Sequence, residues 1–151
     1  MVWPRSARCC WPEGAPQALG ASWHTAAVPS SLDPLSTVRA LSLALPEVTE
    51  RLSHGSPTFF IRGKKTFVTF VDDHHGDGIL GIWCAAPPGA QAELVEHEPD
   101  RFFVPPYVGG RGWLGVRLDR SMDRRELCAI ITDAYLQVAP KTLAAQVVPA
   151  T

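Results

Sequence analysis

The chain has 151 residues, 46% of them hydrophobic and 19% charged, and a formal net charge of −1. That size holds one domain, large enough to fold without disulfides or a metal. No apolar run approaches the roughly 18 residues that span a bilayer; the basic excess of a dedicated nucleic-acid binder is missing too, so any nucleic-acid surface must be a local basic patch on a neutral body.

Residues 1–31 carry Trp3, Trp11, Trp23 and several prolines without sustained periodicity. They lack the continuous apolar segment of a secretory signal and the spacing of a folded unit. They are expected to be a disordered extension, or an over-extended gene start whose true beginning lies between Val28 and Val38. The domain is expected over 32–146, with a short tail at 147–151.

Asp33-Pro34 reads as a helix start, a capping residue followed by proline at the first helical position. Leu35, Val38, Leu41 and Leu45 then give one apolar helical face that ends before Pro46. After the turn-rich Ser53-His54-Gly55-Ser56-Pro57 come three runs that read as an antiparallel meander: Thr58 to Ile61, Thr66 to Val71 and Ile79 to Ala85. Arg62-Gly63-Lys64-Lys65 is a tight basic turn between the first two, and the polar loop Asp72 to Gly78 joins the last two.

Pro87-Pro88 opens a second helix running to about Glu98. Phe102 to Val104 is a short strand, and Leu114, Val116 and Leu118 alternate with Gly115 and Arg117 as in a half-buried strand. Asp123 and Glu126 resemble a capping box, after which Leu127, Ile130, Ile131, Ala134, Tyr135 and Val138 share one face of a last helix that Pro140 ends. The expected order is α-β-β-β-α-β-β-α, helices packed on an antiparallel sheet, which is the α+β class.

Of the four cysteines, Cys84 and Cys128 fall in a strand and a helix, where a buried thiol acts as a small hydrophobe. No CxxC pair occurs, so neither a disulfide framework nor a zinc site is assigned, and a reducing cytoplasm is the expected location.

Asp72-Asp73-His74-His75-Gly76-Asp77 has residue types that bind divalent ions, yet a Gly/Asp-rich link between strands needs no ligand, and no metal is assigned. Ser53-His54 lacks a nucleophile-elbow motif and a third partner, so no catalytic residue is named and enzymatic activity is the less favoured reading. Arg62, Lys64 and Lys65 on a hairpin tip, with Arg111 in the Gly109-Gly110-Arg111-Gly112 loop, could track phosphates, glycine permitting close backbone approach. The simpler reading is a solvated turn. Arg117, Arg120, Arg124 and Arg125 add positive charge near the last strand and helix. Tyr107 and Trp113 flank a Pro/Gly loop and either pack there or line a ligand crevice with His54.

Several motifs occur in a recognisable sequence: Leu45-Pro46-Glu47-Val48-Thr49-Glu50, His54-Gly55-Ser56-Pro57, and Arg62-Gly63-Lys64 leading to Phe67. Then follow Phe102-Phe103-Val104-Pro105-Pro106-Tyr107, Gly112-Trp113, Val116-Arg117-Leu118-Asp119, and Ala134-Tyr135 before Val138-Ala139-Pro140-Lys141. This ordered set resembles the MmcQ/YjbR family of small bacterial proteins over about three quarters of the chain, leaving out the N-terminal extension. The resemblance implies a CyaY-like α+β fold and a DNA-binding protein with a double-wing arrangement, whose wings here would be Arg62-Gly63-Lys64-Lys65 and the Arg111 loop. It brings no catalytic residues and no cofactor.

Three functions remain open. The first is a DNA-binding protein touching phosphates through Arg62, Lys64, Lys65 and Arg111. The second is a small-molecule-binding domain or enzyme with a crevice near His54, Tyr107 and Trp113. The third is a protein-interaction module. No membrane contact is expected, the chain is expected to be monomeric, and nothing names a protein partner.

Overall fold

In the computed structural model the described residues are 33–120 and 122–147; the expectations for 1–31 and for 148–151 lie outside them. Helix α1 (Pro34–Leu43) starts where Asp33 accepts a hydrogen bond from the Ser36 amide at 3.3 Å, with proline in the first turn. Strands β1 (Val48–Ser53), β2 (Ser56–Ile61), β3 (Lys65–Asp72) and β4 (Leu80–Cys84) follow. Then come α2 (Ala90–His97), β5 (Phe102–Phe103), β6 (Leu114–Arg117), α3 (Arg124–Val138) and α4 (Lys141–Val147). The six strands form one antiparallel sheet in the order β1-β2-β3-β4-β6-β5. The fold is α+β, as the residue pattern implies, with one strand and one helix more than the expected order.

The added strand is β1. On the side it shares with Phe59 of β2 it presents Glu50 instead of an apolar residue, and Glu50 takes a two-pronged ion pair from Arg39 of α1 at 2.6 and 2.8 Å. Burial opposes ionisation of that carboxyl, but the Arg39 hydrogen bond holds it below the usual range. The turn into β2 is His54-Gly55, both in the left-handed region (φ 51° and 81°), a two-residue hairpin loop of the kind that matches strand twist. The added helix, α4, begins directly after Pro140, which therefore separates two helices; the Pro140 carbonyl accepts from the Leu143 and Ala144 amides at 3.0 Å.

Helices α1 and α3 cover one face of the sheet. Phe70, Ile82, Val116 and Phe102 stand side by side across β3, β4, β6 and β5, each at most 6% exposed. A bulge in β3 adds to this face: Val68 pairs with Phe59 and Thr66 with Phe60, which leaves Phe67 unpaired. Both Phe67 and Val68 are fully buried, and Phe67 meets the Tyr135 ring of α3 edge-on at 5.5 Å. The Tyr135 hydroxyl donates to the Pro46 carbonyl at 2.8 Å, tying α3 to the segment ahead of β1.

Asp123 caps α3 through the Arg125 amide at 3.4 Å. Glu126 does not complete a capping box; its carboxylate pairs with Arg101 at 2.6 Å. Arg101 also reaches Glu98 at 2.9 Å, so one guanidinium joins the end of α2 to the start of α3. Cys84 and Cys128 are buried, and burial pushes the Cys84 thiol far up. Among the described residues no helix is long and apolar enough to cross a membrane.

Candidate functional site

Pairing register places a second row on the other face of the sheet: Arg51, Thr58, Thr69, Trp83, Gly115 and Phe103, one from each strand. Its chemistry differs from the first row. Thr58 and Thr69 place their hydroxyls 3.5 Å apart, and Arg51 lies 3.9 Å over the Phe60 ring. Gly115 is glycine because a β-carbon there would collide with the Phe103 ring. Trp83 is 7% exposed, and its indole Nε1 is buried with no hydrogen-bond partner. A buried donor left without an acceptor is unusual in a folded protein and calls for an explanation.

Thr58, Thr69 and Trp83 of this row line a groove of about 970 Å³. Hydroxyls of Ser53, Ser56, Thr58, Thr66 and Thr69 line it, and Val138 at the end of α3 contributes as well. Two loops build its aromatic wall. The β3–β4 loop supplies His74, whose ring lies 5.0 Å from Trp83 at 80°, and the loop after β5 supplies Tyr107, 6.4 Å from Trp83. Tyr107 is 79% exposed. Both loops hold non-glycine residues in the left-handed region, at Asp73 (φ 50°), His75 (φ 55°) and Tyr107 (φ 66°), a costly geometry that concentrates at functional sites.

The loops are fastened from within. The Asp73 carboxylate accepts from the Gly78 amide at 2.7 Å and the Asp77 carboxylate from the Ile79 amide at 2.9 Å. Those carboxylates thus serve loop geometry. Among the described residues no group of three or more His, Cys, Asp or Glu side chains could hold a metal ion. The second loop is held by Gln91 of α2, whose amide nitrogen donates to the carbonyls of Gly109 (2.8 Å) and Trp113 (2.5 Å). A helix side chain thereby fixes the segment that carries Arg111.

Two sets of residues proposed for separate functions come together here. Lys64, Lys65 and Arg111 line the same groove as His54, Tyr107 and Trp113. Arg62 is not among the lining residues: its guanidinium pairs with Glu47 at 2.9 Å, and its amide donates to the Glu47 carbonyl at 2.9 Å. Arg117 is likewise engaged, by both oxygens of Asp119 at 3.0 and 2.9 Å. The side chains of Lys64, Lys65 and Arg111 have no carboxylate partner among the described residues, and no acidic residue lines the groove. Three cations and three imidazoles (His54, His74 and His75) therefore face one cleft without a compensating charge among the described residues.

Sequence reasoning missed His74 and Trp83. His74 was visible only as part of an acidic, histidine-containing loop. Trp83 had a readable signal: if Ile82 and Cys84 face the core, the residue between them faces away, and a tryptophan there is out of place unless that face is used.

A family model for YjbR matches residues 43–137. Among solved structures, the crystal structure of Deinococcus radiodurans protein DR2400, with family-model domain DUF419, aligns at a TM-score of 0.60. The alignment covers 75% of this chain and 86% of that one at 17% identity, a likeness of fold alone. No curated protein matches the sequence. The family match takes in all six strands and the groove residues from His54 to Trp113. The ordered motifs, the sheet and this match agree, and the chain belongs to the YjbR family.

Proposed function

We propose that the chain binds DNA through this groove, with Lys64, Lys65 and Arg111 contacting phosphates. The observation that carries the reading is a cleft with three cations that have no carboxylate partner among the described residues, on a protein whose net charge is −1. A neutral body with one concentrated basic cleft can attract a polyanion locally even though its overall field is weak. Arg62, engaged with Glu47, plays a lesser part than its neighbours in the same hairpin.

The test is fluorescence anisotropy of a labelled DNA titrated with the full chain at low and physiological salt. Binding should weaken as salt rises. A Lys64/Lys65/Arg111→Ala variant should lower the salt slope by about one per lost phosphate contact, whereas Arg62→Ala should change it little. Absence of binding at low salt, or binding indifferent to the triple variant, would sink the proposal.

A second reading, a small-molecule site in the same groove, is favoured by its aromatic wall of His74, Trp83 and Tyr107 and by a volume that suits a ligand. It predicts a ligand-dependent rise in melting temperature that survives the loss of Lys64 and Lys65.

A further inference from the structure

Charge alone would be satisfied by any phosphate backbone, but the groove offers more than charge. Its wall presents Tyr107 largely exposed, beside His74 and Trp83. In a duplex each base face is covered by its neighbours, so exposed aromatic rings gain nothing unless a base leaves the stack. An unpaired strand has free faces and free edges. Proteins that bind such strands combine a basic groove with aromatic side chains on which bases stack.

We infer that the groove takes a single strand of DNA, one base stacking on Tyr107, while Lys64, Lys65 and Arg111 hold the flanking phosphates. This rests on the DNA-binding reading above and specifies the state of its ligand. The cations come from two separate loops, the β2–β3 hairpin and the loop after β5, with the hydroxyls of Thr58 and Thr69 on the floor between. That layout suits successive phosphates along a strand better than one phosphate on a free nucleotide. Tyr107 combines a left-handed backbone with a ring left in solvent, a geometry of the kind that concentrates at functional sites.

The test compares four probes on the full chain: a short labelled single strand, the same sequence as a duplex, a strand of equal length with abasic sugars, and free deoxyadenosine monophosphate. The single strand should bind at least tenfold more tightly than the duplex, and the abasic strand should lose roughly tenfold because the phosphates remain while the stacked base is gone. Tyr107→Ala, at an exposed position that the fold does not need, should weaken single-strand binding roughly tenfold without altering the salt slope. Equal binding of abasic and normal strands overturns the inference and leaves the charge-based reading standing. A free nucleotide that binds as tightly as the strand overturns it in favour of a small-ligand site. No binding by any DNA at low salt removes both the inference and the reading beneath it.

Discussion

On the helix-covered face, Phe70, Ile82, Val116 and Phe102 form a row that is almost dry and asks for nothing beyond apolar contact. On the other face, the same strands present Arg51, Thr58, Thr69, Trp83, Gly115 and Phe103. Neighbours in sequence thus serve opposite ends: the first row spends its side chains on packing, and the second keeps hydroxyls and an indole donor with bonding capacity in hand. The difference shows where this molecule can recognise something. A face whose side chains are all satisfied holds the fold together; a face with unmet donors and unpaired cations has something to offer a ligand.

The largest effect should come from breaking the first row. Phe70→Ala removes a buried ring from beneath the helices and should cost about 3–5 kcal/mol, read from urea unfolding. Thr69→Ala, next to it in β3 but on the groove side, should cost less than about 1 kcal/mol. Equal losses would erase the distinction between the faces.

A smaller effect sharpens it. Tyr135 brings one polar group into the apolar layer, and burial first, then the Glu47 charge, pushes its phenol upward against the opposing charge of Arg62. Tyr135→Phe preserves the ring against Phe67 and leaves the Pro46 carbonyl without its donor, for a loss of about 1–2 kcal/mol in the same unfolding assay.

The smallest effect is one of pH. The unfolded chain protonates Glu50 before the folded chain does, because Arg39 holds the folded carboxyl below its ordinary range. Its contribution is therefore complete above that range and is lost as pH falls, roughly below pH 5. Glu50→Gln should make the acid side of a stability–pH curve shallower, and an unchanged curve would show that the pair is fully screened.

The same contrast explains what was legible from residues alone. Strands β2, β3 and β4 and helix α3 announce themselves because one side of each is filled with Phe, Val, Ile or Leu, and period follows from burial. Strand β1 does not, since its helix-side positions are Val48, Glu50 and Leu52, the middle one held by an ion pair and the last 71% exposed. Its signal lay elsewhere, in the two-residue His54-Gly55 turn. Helix α4 was hidden by reading Pro140 only as a stop, although proline ends one helix and starts the next equally well.

The groove was legible in pieces. Its cations stood out as a basic turn and a glycine-rich loop, and Tyr107 and Trp113 as aromatics around Pro and Gly. That they share one cleft depends on strand order, β6 lying beside β4, which local patterns do not specify. The engagement of Arg62 depends on a contact fifteen residues away in the chain.

The unpaired Phe67 also bears on how this sequence can change. Thr66 and Thr69 are three positions apart, an interval that in a regular strand would send them to opposite sides, yet both line the groove. The extra residue acts as a phase correction. Deleting Phe67 or Val68 would leave every groove side chain on its own face and take volume only from the core, whereas deleting Thr69 would turn Val68 into the groove. Insertions and deletions in β3 are thus unequal events: one residue lost beside the bulge changes packing or lining, and one residue gained there turns one end of the strand over.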